Sequence, residues 1–241
     1  MELIVVDPIR LSKVRQLEAL SSRVWVAEDI FYDRTWVFRR TEDFLSRRLN
    51  SVTPLDPMDG ENVEERIKRF SLSIPLRATP LVPPAVINYC QGTNWKKSVS
   101  IFVVLGKVCS SVQEECCVRV VKDMEYVTTL FKKQSFLALL RRVKCEKLHF
   151  LGEMGGIVFA NMLVVCDGDF AGILDFSIRR NFDKENAKRG FITRVWSRLK
   201  EKNIAKVWLE VTRSRESLSL FQLLLDSSFQ VSYSYEYAYW S

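Results

Sequence analysis

Two carboxylates and the basic run between them are the residues whose types and spacing suit chemistry. Asp175 lies in an apolar strand pattern, Phe170 to Ile178, and Glu210 lies in a second, Lys206 to Thr212. Each is either a proton acceptor or an ordinary half-exposed strand residue. From Arg179 to Lys206 there are ten bases against three acids. Such a surplus suits a polyanion, whether the phosphates of a cofactor or a nucleic acid, and it equally suits a solvated helix face. An acid followed by an acid-x-lysine pair, Asp169 or Asp175 with Glu210, would suit a nuclease, but Thr212 stands where the lysine should be. The one histidine, His149, sits between Leu148 and Phe150 and reads as a packed core or edge residue. No G-x-S-x-G, Walker loop or dinucleotide fingerprint is present. The six cysteines include no C-x-x-C pair. No metal site is therefore expected, and the thiols read as buried groups in a reducing compartment.

The elements that must position these residues follow from hydrophobic periodicity. The 241 residues are 47% hydrophobic and 12% aromatic, enough to fill a core and exclude a disordered chain. No apolar run reaches the roughly 20 residues of a bilayer span. The N-terminus also lacks a basic, apolar, small-residue order, so the expectation is a soluble cytoplasmic protein with no membrane partner. The net charge is +7, and nearly all of it lies after residue 115. This half of the chain is where an anionic partner is expected.

In chain order, Glu2 to Asp7 reads as a strand, and Leu11, Val14, Leu17 and Leu20 predict a helix to about Ser22. Arg23 to Arg48 interleaves aromatics (Trp25, Phe31, Tyr32, Trp36, Phe38) with arginines, and Thr41 and Phe44 open a short helix. Acids nearly neutralise the stretch. It therefore reads as aromatic core with snorkelling arginines in preference to a base-stacking surface. Asn50 to Gly60 reads as a loop, Val63 to Phe70 as a short helix, and the prolines from Pro75 to Pro84 as an extended connector. Ser98 to Val108 is a buried strand, and Cys109 to Glu115 is the expected domain boundary. After it come a strand (Cys116 to Lys122), helical segments from Asp123, and a strand at Leu148 to Gly152. A turn at Gly155 and Gly156 and a hairpin turning at Asp167-Gly168 follow.

The run KVWLEVTRS (Lys206 to Ser214) precedes a helical pattern and an aromatic tail, SYEYAYW. With the order of elements from Val118 onward, it resembles the GCN5-related N-acetyltransferase (GNAT) superfamily, in particular the end of its ribosomal-protein and protein N-terminal acetyltransferases. The resemblance implies an α/β fold with a mixed α+β sheet. It implies a GNAT-like domain over residues 116–241, preceded by an α/β region over residues 1–115 that is an extension or a decayed GNAT-like half.

It further implies acetyl-CoA as cofactor and transfer of its acyl group to an amine by direct attack. Glu210 is then the first choice of base and Asp175 the second. The strand end Phe176, Ser177 and Ile178, with Lys188, Arg189, Gly190 and Phe191, would hold the cofactor. The family's phosphate loop, (Q/R)-x-x-G-x-(G/A), aligns with Ala187 to Ile192, where only Gly190 matches. The family's leaving-group tyrosine aligns with Gln222, or with Phe221 after a one-residue shift. Its role would pass to Tyr233, Tyr235, Tyr237 or Tyr239, which otherwise read as cross-strand packing. The rival expectation is an inert GNAT-fold module that binds nucleic acid or a protein through Arg179, Arg180, Arg194 and Arg198.

Overall fold

The computed structural model describes residues 8–42, 46–70, 74–93, 95–108, 117–122, 135–179, 185–212 and 229–240. The strand expected at Glu2 to Asp7, the boundary at Cys109 to Glu115, the helix from Asp123 and the one after Ser214 lie outside these residues. The chain forms two compact units, Met1–Val103 with Ser232–Ser241, and Val104–Val231.

In the first unit, helix α1 (Pro8–Val24) opens on a proline, whose fixed φ suits a first helical turn. Val14, Leu17, Leu20 and Val24 recur every three or four residues, and all four are buried. Strands β1 (Asp29–Asp33) and β2 (Trp36–Arg40) form a hairpin. Arg34 takes a left-handed φ of 54° at its turn. The segment read as a loop contains a third strand, β3 (Ser51–Pro54), paired antiparallel with β2. Its polar sequence hides a strand that is completely buried by its neighbours.

After helix α2 (Val63–Phe70), the supposed connector supplies strand β4 (Leu76–Ala78) and helix α3 (Pro84–Gln91). Pro84 begins α3 where a missing N–H costs nothing. The strand order is β1-β2-β3-β4-β11-β5, where β5 is Trp95–Lys107 and β11 is Gln230–Trp240.

The two faces of this sheet differ in chemistry. On one, Trp36, Phe38, Val52, Leu76 and Ala238 pack against Val63 and Ile67 of α2 and Val86 of α3. Each fully buried side chain of this kind contributes about 1.5–3 kcal/mol. The other face carries charge under α1. Glu18 accepts hydrogen bonds from Arg77 and from the Tyr233 hydroxyl, with the Glu18 and Arg77 side chains only 3% and 4% exposed. Arg39 donates to Thr53 Oγ1 at 3.1 Å and to Ser22 Oγ at 2.8 Å. Burial, then the charge of Arg77, lowers the Arg39 pKa from its ordinary value. Arg77 also lies 4.0 Å from the Tyr235 ring centroid.

The second unit is built on strands β6 (Cys117–Val121), β7 (Glu146–Met154), β8 (Ile157–Asp167), β9 (Phe170–Ile178) and β10 (Lys206–Thr212). Their order is β10-β9-β8-β7-β6. Helix α4 (Ser135–Arg142) precedes β7, and helix α5 (Glu185–Glu201) joins β9 to β10. β6 through β9 pair antiparallel, and β9 and β10 pair parallel. The expected turns hold: Gly155 and Gly156 have φ of 58° and 76°, and Gly168 has 60° in a two-residue turn.

A parallel pair needs a long crossover, which α5 supplies. Asn203 ends the helix with a left-handed φ of 61°. The Ile204 N–H reaches Leu199 O at 3.1 Å, and the Asn203 N–H reaches Lys200 O at 2.9 Å. This paired closure satisfies the last carbonyls and turns the chain into β10.

The buried Glu18 carboxylate joins α1, β4 and β11 of the first unit. Glu18→Gln removes the negative charge that faces the buried Arg77 guanidinium. Urea denaturation is expected to show a loss of about 3 kcal/mol, within the range for breaking a buried ion pair. Tyr233→Phe should lose only about 1 kcal/mol, the worth of one hydrogen bond.

Candidate functional site in the cleft between strands β9 and β10

The parallel pairing of β9 and β10 runs from Phe170 with Lys206 to Ile173 with Leu209 and ends there. At the same level, β9 breaks register with β8. Leu163 pairs with Asp175 and Val164 pairs with Ile173, so Leu174 is the extra residue of a bulge. A bulge bends its strand and sharpens the local twist, and here it coincides with the point where β10 leaves. Burial records the separation. Phe170 to Leu174 are buried, whereas Asp175 to Ile178 are half-exposed. Glu210 and Thr212 on β10 are half-exposed as well.

Bulge geometry also decides which side chains share a face. Directly opposed antiparallel residues point to the same side. Gly172 lies opposite Val165 and Asp175 opposite Leu163, and those two β8 residues are two apart. Gly172 and Asp175 therefore face the same way although three residues separate them. Trp208 stands across from Gly172. A Cβ on Gly172 would fall 2.6 Å from Trp208 Cζ2, so the indole covers this face of the glycine. Glu210, two residues beyond Trp208, shares its face. The extra residue thus places Asp175 and Glu210 on one face at the mouth of the cleft.

Helix α5 lies on the opposite face. Phe191 stacks on Phe176 with centroids 6.0 Å apart and meets Phe159 edge-on at 6.1 Å. The glycine opposite, Gly152, leaves room for its ring, because a Cβ there would come 2.6 Å from Phe191 Cδ2. Phe191 is therefore core, which differs from its expected place in a phosphate loop. The span Ala187 to Ile192 as a whole lies inside α5. Backbone N–H groups beyond the first turn bond within the helix. Among the described residues, free amides can come only from about Glu185 to Lys188, so Gly190 contributes none. Lys188 is 8% exposed and Arg189 half-buried. Neither presents a fully solvated charge.

Ser177, two residues after Asp175 and on its face, accepts a hydrogen bond of 2.6 Å from Asn161 Nδ2. Asn161 is fully buried, and its Oδ1 has no hydrogen-bond partner among the described residues. Sequence reading missed Asn161; a lone asparagine inside an apolar strand, LVVC preceded by ANM, was the available signal.

The arginines of the rival reading differ in exposure. Arg179 is exposed, Arg194 is half-buried, and Arg198 is engaged with Glu201 at 3.0 Å. Arg180, Gln222 and Phe221 lie outside the described residues. Tyr233, Tyr235 and Tyr237 are buried in the first unit, and Tyr239 is half-buried there. His149 is 3% exposed. Burial raises the Cys166 thiol to about 12 and the Cys90 thiol to about 11, so neither is a ready nucleophile. Among the described residues, no three metal-ligating side chains converge. No helix there is long and apolar enough to cross a membrane.

A GCN5-related N-acetyltransferase from Kribbella flavida superposes with a TM-score of 0.66 at 8% identity, covering 95% of this chain and 94% of its own. The chain has the GCN5-related N-acetyltransferase fold. A functionally unknown conserved protein from Staphylococcus epidermidis matches with a TM-score of 0.62 at 8% identity, over 89% of this chain and 94% of its own. A further such acetyltransferase, from Sphaerobacter thermophilus, gives 0.51 at 10% identity over 78% and 71%. The likeness spans nearly the whole chain, where the sequence had suggested residues 116–241 alone, with an added N-terminal region. No family model matches the chain, and no curated protein matches its sequence.

Gly172 leaves room for the Trp208 indole beside the last paired residues before the cleft. Gly172→Ala is expected to cost about 1–3 kcal/mol, the usual range for forcing one methyl into a packed core. Combining it with Trp208→Leu should recover part of that loss in a denaturation cycle, because the two sites share one contact.

Proposed function

We propose that the chain is an N-acyltransferase that uses acetyl-CoA and delivers the acetyl group to an amine by direct attack. The observation that carries this reading is the cleft itself, with β9 and β10 parting at the Leu174 bulge and Asp175 and Glu210 on one face of its mouth. When bound, acetyl-CoA supplies an activated thioester whose carbonyl accepts the nitrogen and whose thiolate departs.

The residues present fit such a ligand in three ways. The edge of β9 released by β10, from Asp175 to Ile178, offers backbone N–H and C=O groups to an extended chain that carries amides. The first turn of α5 offers unbonded amides and the positive end of its dipole to phosphates. Arg179 before that turn in the sequence and Arg189 after it add charge, while Lys188, being buried, contributes at shorter range. These groups differ from the expected loop: the first turn of the helix takes the part that a glycine-rich loop before it would take.

Glu210 acts as the base. An amine is protonated at neutral pH and must lose a proton before its nitrogen can attack. A half-exposed carboxylate at the cleft mouth first attracts the ammonium and then accepts the proton, directly or through a water. Asp175 strengthens the field that draws the cation in, and it is the second candidate for the transfer. Ser177, held by Asn161, stands on the same face and orients polar groups of the bound ligands.

Release of free thiol from acetyl-CoA, followed with peptide N-termini, lysine peptides and polyamines as acceptors, tests the reading. Glu210→Gln should lower kcat by about 10²–10⁴, the usual contribution of a positioned general base, while acetyl-CoA affinity stays unchanged. Asp175→Asn should have the smaller effect. A Glu210→Gln enzyme as active as the wild type on its best acceptor would remove Glu210 from the role.

A further inference from the structure

We infer that β1 is a docking strand that accepts an extended peptide with an apolar centre and basic ends, adding it to the edge of the first unit's sheet that no described strand covers. β1 stands at the end of the strand order. It pairs with β2 along its full length, Asp29 with Arg40 through Asp33 with Trp36. Among the described residues, no strand pairs with its other edge. An edge strand presents a row of unpaired N–H and C=O groups, the template that β-augmentation uses.

The side chains of this edge are unusual for a soluble surface. Ile30, Phe31 and Tyr32 are 37%, 56% and 70% exposed. They are consecutive, so they alternate between the two faces of the sheet, and apolar surface is offered on both. On β2 beside them, Trp36, Val37 and Phe38 are buried. A strand laid along β1 would cover apolar surface on both faces at once.

Charge selects the occupant. The apolar triplet is closed by Asp29 and Asp33. At the Asp29 end, Glu28 and Glu42 add two carboxylates, and the nearby Arg40 is engaged with Glu42 at 2.6 Å. At the Asp33 end, Arg66 pairs with Asp33 at 3.3 Å and with Asp59 at 2.9 Å, while Arg34 is engaged with Glu61. The Asp29 end thus carries three acids against one arginine, and the Asp33 end, where Glu65 and Arg69 line the same hollow, four acids against three.

A second copy of β1 is the wrong partner. In antiparallel self-pairing centred on Phe31, Asp29 would stand opposite Asp33 of the other copy at both ends, and like charges directly opposed are destabilising. Parallel self-pairing sets each aspartate beside its own counterpart. A strand with Lys or Arg at its ends, one of them beside Asp29, relieves this repulsion. The acids therefore both prevent self-association and define the ligand.

The test uses the full chain and two capped heptapeptides, Lys-Val-Thr-Val-Thr-Val-Lys and the same peptide with Glu at both ends, each fluorescently labelled and followed by anisotropy. The basic-ended peptide should bind at least about tenfold tighter, and the preference should shrink as salt rises. Asp29→Lys lies on an exposed side chain and should reverse or abolish the preference. Phe31→Ser should weaken both peptides, and thermal melts of both variants should match the wild type. Amide shifts in a nitrogen-15 spectrum should centre on residues 29–33. Equal binding of the two peptides, an Asp29→Lys variant with unchanged preference, or concentration-dependent self-association abolished by Phe31→Ser would overturn the proposal.

Discussion

The close approach of Trp208 to Gly172 is the contact on which the candidate site depends. Two parallel strands normally keep their spacing along their whole length. Here an indole lies across the backbone of its neighbour because the neighbour has no Cβ, and this fixes the register of β9 against β10 one residue before they part. One residue further along β9, Leu174 is extra with respect to β8. A locked register followed at once by a bulge turns the separation of the strands into a defined cleft. Phe191, seated over Gly152 and stacked on Phe176, repeats the device on the other face and fixes α5 against the diverging end of β9.

The cleft explains which parts of the site were legible in the sequence. Asp175 and Glu210 were picked out as strand carboxylates by the family resemblance, and β10 falls on Lys206–Thr212 as expected. Their shared face was not legible. Strict alternation from Gly172 places Asp175 on the opposite side, and only the pairing with β8 reveals the extra residue. The phosphate loop failed for a related reason. Aligning Gly190 with a family glycine started the helix only at the apolar stripe of Phe191, Ile192, Val195, Trp196 and Leu199, although that stripe is in phase with Ala187 and Lys188. That pattern carries the helix back to Glu185 and buries Ala187, Lys188 and Gly190.

In the first unit, strong periodicity was again readable and short polar elements were not. α1 follows from its apolar spacing and α2 reads as a short charged helix, whereas β3 and β4 are strands of four and three residues whose existence depends on the neighbours they pair with. Proline misled in one place, since Pro84 opens a helix instead of prolonging a connector. The buried Glu18, Arg77 and Tyr233 network was invisible as well, because its members lie far apart in sequence. Such a network is strong only when every member is satisfied, and it ties the last strand of the chain to the first helix.

The central claim is that acetyl-CoA occupies the cleft where β9 and β10 diverge. A nitrogen-15 titration of the full chain with acetyl-CoA tests it most directly. Saturable shifts should concentrate on Leu174–Ile178, on Glu210–Thr212 and on the first turn of α5. Absence of saturable binding at millimolar acetyl-CoA, or shifts confined to residues outside those three segments, would contradict the account.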